Sequence, residues 1–239
     1  MSSPLIGTAG WSIPRPLADR FPSEGSALQR YAARFNAAEI NSSFHRPHRA
    51  STWRRWRDEV PETFRFSVKL AKTITHQRKL VDCEDELDRF AGETGMLGDK
   101  LAVVLVQLPP KLAFDRGVAA RFFGALRARC STAIACEPRH ASWFESEADT
   151  LLEERRVARV AADPALNEAA AHPGGWRGFS YWRLHGSPRM YRSSYADRIG
   201  EYVHVLREDA AARETWCILD NTASSAAAAD ALALIEALA

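Results

Sequence analysis

The feature that most constrains this chain is an alternation: short β-rich runs separated by helix-forming stretches recur along all 239 residues. Successive strands that must run the same way need long crossovers, and helices supply them. Strands are expected near 4–10, 37–44, 64–70, 101–108, 132–138, 157–163, 179–185 and 214–220. Eight such units close a (β/α)8 barrel, so the expected fold is α/β, a single TIM-barrel domain over 1–239. Leu101-Ala-Val-Val-Leu-Val-Gln-Leu108 is apolar on both alternating faces until Gln107, as a strand covered by helices outside and packed inside must be. Pro173, Gly174 and Gly175 interrupt the segment 164–177, so the sixth helix should be short or irregular. Asp82 is a plausible N-cap for the helix carrying Leu87 and Phe90, and Ser224 or Ser225 for the closing alanine-rich helix.

With 46% hydrophobic residues the chain can bury a sizeable core, and a formal net charge of +2 is too small for whole-molecule attraction to nucleic acid. Cys83, Cys130, Cys136 and Cys217 include no CxxC pair and read as small buried residues of a reducing compartment. No apolar run is long enough to span a bilayer, so the expected location is cytoplasmic, with no membrane partner.

Most of these strands run apolar and then finish in polar groups: Gly10-Trp11, Asn41-Ser42-Ser43, Lys69, Gln107, Glu137-Pro138-Arg139-His140, Asp163, Arg183-Leu184-His185-Gly186 and Asp220-Asn221. In a parallel barrel those ends meet at one face, where barrel sites are built. Period two puts Tyr181, Arg183 and His185 on one strand face, with Trp182 and Leu184 on the other. The same rule groups Glu39 with Asn41 and Ser43, and Ala135 with Glu137 and Arg139.

Lys69, Arg139 and Arg183 would form a clamp for a carboxylate or phosphate. Glu137, His185 and Asp220 are the acid–base candidates, because crowding in a partly dry cavity moves proton affinities toward neutrality. Asn41, Gln107, His140, Trp11 and Asn221 complete the expected substrate-binding set. A competing reading has Glu39, Glu137, Asp163 and Asp220 neutralise the cations in a buried structural network; the two readings can coexist. Any divalent metal would fall to Glu137, Asp163, His185 and Asp220, an oxygen-rich set. His45-Arg-Pro-His48 is better read as two loop histidines, since Pro47 interrupts any helix between them. Lys69 as a Schiff-base amine is a minor alternative.

Trp53 and Trp56, three apart, should pack outside the barrel, while Trp11 and Trp143 belong to mouth-side loops as ring-stacking or covering groups. Arg46, Arg49, Arg54, Arg55 and Arg57 form one basic cluster, and Arg189, Tyr191, Arg192 and Tyr195 another. They support an alternative function as a nucleic-acid-binding or phosphodiester-processing barrel. The third reading is a non-catalytic binding protein. The preferred one is an enzyme of hydrolase, lyase or isomerase type acting on a small anionic substrate. Oligomeric state is not legible.

Ile6-Gly7-Thr8-Ala9-Gly10-Trp11, Ala38-Glu39-Ile40-Asn41-Ser42-Ser43-Phe44, Phe64-Arg65-Phe66-Ser67-Val68-Lys69, Thr75-His76, Val106-Gln107-Leu108-Pro109-Pro110, Glu137-Pro138-Arg139-His140, Arg183-Leu184-His185-Gly186 and Asp220-Asn221-Thr222 follow one another in order. In these segments the chain resembles the YecE-like family of uncharacterised TIM-barrel proteins. The resemblance implies the barrel and places these polar segments at its catalytic face, but implies no reaction. It departs at His45, where the family often carries Tyr after Phe44.

Overall fold

A computed structural model describes residues 3–239. The strands are β1 (Leu5–Ala9), β2 (Ala37–Ile40), β3 (Arg65–Lys69), β4 (Leu101–Gln107), β5 (Ala133–Glu137), β6 (Val157–Arg159), β7 (Ala161–Asp163), β8 (Gly174–Gly175), β9 (Phe179–Leu184) and β10 (Glu214–Leu219). They form one sheet in the order β7-β9-β10-β1-β2-β3-β4-β5-β6-β8. Only Val160 separates β6 from β7, and its N–H donates to Cys136 O at 2.8 Å. The two short strands are therefore halves of one barrel strand, the first pairing with β5 and the second with β9. That junction completes a ring of eight parallel strands, a TIM-like barrel.

Helices α1 (Ala27–Ala32), α2 (Ser42–His45), α3 (Ala50–Glu59), α4 (Glu84–Thr94), α5 (Arg116–Arg129), α6 (Ser146–Glu154), α7 (Ile199–Ala212) and α8 (Ala227–Leu238) lie between and after the strands. The sixth crossover has no α-helix: it holds a 3-10 turn at Glu168–Ala171 and then β8, antiparallel to β6. Gly175 sits there at φ +60, and a Cβ would stand 2.6 Å from Val157 O, so the diglycine is what allows this strand to close against β6. Gly7 plays a similar part on the opposite side of the ring, where a Cβ would meet Ala37 O at 2.0 Å.

Period two divides the core. Ile40, Phe66, Val68, Val104, Val106, Cys136, Trp182, Leu184, Cys217 and Leu219 pack outward with the helices, while Ala37, Val103, Leu105, Ala135, Tyr181, Trp216 and Ile218 fill the barrel interior. Trp53 and Trp56 are buried in the outer layer, as expected, and all four cysteines are free and buried. Among the described residues no helix is long and apolar enough to cross a membrane.

Three local expectations fail. β2 ends at Ile40, because Asn41 turns into the helical region and α2 begins at Ser42. Asp82 does not cap α4: it has φ 50, and Cys83 precedes the first helical residue. Ser225 adopts a left-handed turn and Ser224 bonds to Arg192 O, so α8 starts at Ala227 without a side-chain cap.

Candidate active site

The backbone ladder runs one residue past the strands and fixes where the polar residues stand. His185 N–H donates to Asp163 O at 2.7 Å, Asp220 N–H to Leu184 O at 2.8 Å, and Leu108 N–H to Glu137 O at 2.9 Å. Side chains leaving the inward faces of β2, β5, β9 and β10 at this level converge on Arg183, which is 1% exposed.

Its guanidinium is forked onto Glu39, Nε to Oε2 at 3.0 Å and Nη2 to Oε1 at 2.6 Å. Nη1 donates to Glu137 Oε2 at 2.5 Å and Nη2 also to Asp220 Oδ2 at 2.9 Å. Tyr181 O–H donates to Glu39 Oε2 at 2.9 Å. A buried carboxylate is tolerated only when paired and hydrogen-bonded, and here three share one cation. Burial favours the neutral form of Arg183, but Glu137, Glu39 and Asp220 outweigh it and hold the guanidinium charged well above its ordinary range.

His185 lies above this knot with no exposed surface. Nε2 is 2.9 Å from Glu137 Oε1 and 3.0 Å from Arg139 Nη2, and Nδ1 is 3.1 Å from Asp220 Oδ2. Arg139 also pairs directly with Glu137. Burial would raise the Glu137 carboxyl, yet Arg183, Arg139 and His185 hold it well below the usual carboxylate range. Asp220 is depressed too: burial opposes this, and Arg183 and the His185 bond prevail. Lys69 completes the mouth. Its Nζ lies 4.3 Å over the Phe44 ring, and burial first, then Arg183, lowers its proton affinity against the opposing pull of Glu39, Glu137 and Asp220.

The side chains of Lys69, Glu137, Arg139, Arg183, His185 and Asp220, all expected at the mouth, are thus brought together. The remaining expectations divide. Gln107 pairs in register with Glu137, but its amide N–H donates to Leu108 O at 2.7 Å. Asn41 is half-buried with Oδ1 unpartnered, having left the β2 face when the strand ended. His140 caps the 3-10 turn Ala141–Phe144, its Nδ1 2.9 Å from Ser142 Oγ. Trp11 packs edge-on against Trp56 and Phe66. Asn221 turns away from the cluster, its amide donating to Ser193 O and to Asp230 of α8 at 2.6 Å, so it ties the loop after β9 to that helix. Trp143 is buried with its indole N–H on Leu112 O, which removes it from any stacking role.

Asp163 is a correction. Its carboxylate faces Arg198, at 2.5 Å, and Tyr202, outside the ring, and cannot join Glu137, His185 and Asp220 around a metal. The remaining carboxylates already surround the Arg183 guanidinium, which occupies the place a cation would take, and no cluster of three or more His, Cys, Asp and Glu suited to a metal occurs among the described residues. His48, of the histidine pair, bonds Ser42 Oγ at 2.8 Å and packs on Trp53 and Trp56. Ser43 likewise leaves the expected strand face and donates to Lys69 O at 2.8 Å.

Tyr181 and His76 lacked a role at the site in the sequence reading, and Tyr191 was expected only in the basic cluster with Arg189 and Arg192. Tyr181 anchors Glu39, and only its shared strand face with Arg183 announced it. Tyr191 sets its ring edge-on to His185 at 5.6 Å, held by its own backbone N–H on His185 O. His76 packs edge-on against Phe44, and burial, with Lys69 and Lys72 nearby, lowers its proton affinity. Two cavities of ≈ 120 Å³ open among the loops that follow the strands, one between Gly10-Trp11 and Thr222, the other between Phe44 and Thr73. Neither is lined by Glu137, His185 or Asp220.

A family model described as "Protein of unknown function DUF72" matches residues 5–239. The UPF0759 protein YecE of Escherichia coli (strain K12) is 31% identical over 104 residues, 44% of this chain and 37% of that protein. The UPF0759 protein YunF of Bacillus subtilis (strain 168) is 29% identical over 145 residues, 58% of this chain and 51% of that protein. The matched stretches thus span about half or less of these curated relatives. A crystal structure of a DUF72 family protein from Thermotoga maritima MSB8 superposes with a TM-score of 0.81, at 21% identity, covering 99% of each chain, and so shares the fold.

Proposed function

Since this chain belongs to the DUF72 family of proteins of unknown function, its site must speak for its activity, and we propose that it is an enzyme performing acid–base chemistry on a small anionic substrate at the barrel mouth. One observation carries the reading: the buried His185 ring has a carboxylate at each nitrogen and a guanidinium beside one of them. A doubly protonated ring donates to both Glu137 and Asp220. Once the Nε2 proton leaves, the bare nitrogen accepts instead from Arg139 Nη2. Each proton state therefore has hydrogen-bond partners in place, and little rearrangement accompanies transfer, which is what a general acid or base needs.

Work divides by depth. Glu39, Arg183 and Tyr181 form the supporting base, so part of the charge is structural. Arg139 and Lys69, the less buried cations, receive the substrate's phosphate or carboxylate, Arg139 through paired donors and Lys69 as a point charge. Among the described residues Lys69 Nζ has no carboxylate within 4.0 Å, leaving its charge available to a ligand. Asp220, whose side chain is 13% exposed, holds the other ring nitrogen, Nδ1, from the mouth side and fixes the ring's orientation while Nε2 exchanges its proton.

The test is incubation in D2O with small hydroxy acids and sugar phosphates, read by mass spectrometry. Turnover or deuterium uptake that disappears in His185→Asn and weakens in Arg139→Ala is expected. Saturable binding without conversion would make this a binding protein and sink the catalytic claim.

One observation favours a second reading, contact with a phosphate backbone: Arg46, Arg49, Arg54, Arg55, Arg189 and Arg192 are exposed. Tyr195 does not belong to that surface; it is buried, its hydroxyl bonded to Asp163 O. Retention of oligonucleotides at low salt, with affinity falling steeply as salt rises, would support this reading over the first.

A further inference from the structure

The acid–base cluster leaves a second mouth-side feature unused. Phe44, whose ring carries Lys69 Nζ on its face, also lines the cavity of ≈ 120 Å³ between the loops that follow β2 and β3. Arg46, Lys72 and Arg89 stand around that cavity, exposed, and none pairs with a carboxylate among the described residues. Such side chains by themselves describe a solvated rim. Two oxygens change that reading. Thr73 Oγ1 and Glu86 Oε2, on residues lining the same cavity, are buried and have no hydrogen-bond partner among the described residues, although the other Glu86 oxygen receives Arg78 Nε at 2.7 Å.

A buried acceptor without a donor costs on the order of 1–3 kcal/mol, so folding alone would not select the pair. The backbone beneath them is irregular as well. Thr73–Gln77 is a single π turn, closed by Arg78 N–H on Thr73 O at 2.9 Å, a rare form that is frequent at functional sites.

One kind of ligand answers both sets of groups: an anion for the three cations, carrying an O–H for Glu86 Oε2 and a donor or acceptor for Thr73. We propose that this cavity is a phosphoryl-binding subsite and that the substrate is a phosphorylated polyhydroxy compound. Its phosphate sits against Arg46, Lys72 and Arg89, a neighbouring hydroxyl donates to Glu86, and the carbon chain passes Phe44 toward Lys69 and the His185 cluster. This rests on the reading of the mouth as a site for small anions and names the class of that anion.

Isothermal titration at low ionic strength with glycerol 3-phosphate, ethyl phosphate and glycerol tests the assignment. Wild-type protein should bind glycerol 3-phosphate more tightly than ethyl phosphate and should not bind glycerol. The double variant Arg46→Ala/Arg89→Ala, its fold checked by circular dichroism, should lose about tenfold or more in affinity for both esters, as removal of two charge-assisted contacts implies. Glu86→Gln should tighten ethyl phosphate and narrow the preference for the hydroxylated ester. Unchanged affinity in the double variant overturns the subsite. If that unchanged affinity is instead lost in Arg139→Ala, the anion-binding mouth survives without the subsite; if wild-type protein binds neither ester nor citrate, both fall.

Discussion

Two levels of the barrel interior stand on the same strand faces and are built by opposite rules. Ala135 and Glu137 are two residues apart on β5, Tyr181 and Arg183 on β9, and Ile218 of β10 is followed two residues on by Asp220, just past the strand's end. The lower member of each pair joins an apolar floor in which Tyr181 stacks on Trp216 at 5.9 Å. The upper member joins a charged layer just as buried at Glu137 and Arg183. Floor residues are interchangeable in kind, since each contributes by area removed from water. Charged-layer residues stand or fall together, because each exists buried only through its partners. The difference teaches that the strand ends are not an overflow of surface polarity into the barrel but a mutually dependent set.

The comparison breaks first at Arg183. Arg183→Met keeps much of the volume but leaves Glu39, Glu137 and Asp220 without their shared cation, and should cost about 3–5 kcal/mol in urea unfolding. A loss near that of a floor substitution would show the carboxylates to be independent of it. Tyr181 joins the two levels, its ring in the floor and its hydroxyl on Glu39. Tyr181→Phe should therefore lose about 1.5–3 kcal/mol, the range of a hydrogen bond to a charged group, with the ring packing kept.

Acid sharpens the contrast. Glu137 and Asp220 are depressed from ordinary values of 4.5 and 3.8, so their stabilisation is complete above those values and is lost as pH falls through the lower folded ones. Wild-type unfolding free energy should drop in that acid window, and Glu137→Gln/Asp220→Asn should flatten the drop; an unaltered profile would count against the cluster as its source. In the floor, Ile218→Val should cost only about 0.5–1.5 kcal/mol at any pH between 4 and 8. The smallest effect has the other sign. Burial lowers the proton affinity of Lys69, so Lys69→Met should leave stability unchanged or raise it by up to about 1 kcal/mol while weakening anion binding, the trade expected of a site group.

Much of this was legible in the chain. The strand count, the missing sixth helix and the partition of Arg183 and His185 from Trp182 and Leu184 follow from period two and from Pro173-Gly174-Gly175. Legibility failed where a strand stopped early. Asn41 and Ser43 were expected on the Glu39 face, but alternation has no meaning once Asn41 leaves extended backbone. It failed again at Asp163 and Asn221, which sit at the correct end of the barrel and bond outward to Arg198 and Asp230. Strand position sets the level of a residue, and its rotamer then chooses among partners that lie far apart in the chain.

The sequence by itself determined the architecture, because hydrophobic periodicity is local: each strand and helix announces its buried face within a few residues. It also determined which residue types would reach the mouth. Only the tertiary structure decided that Glu39, from 144 residues away, would take two arms of Arg183, and that His185 would lie between Glu137 and Asp220. Charge pairing depends on distance in space and on exclusion of water, and neither exists until the ring of strands has closed.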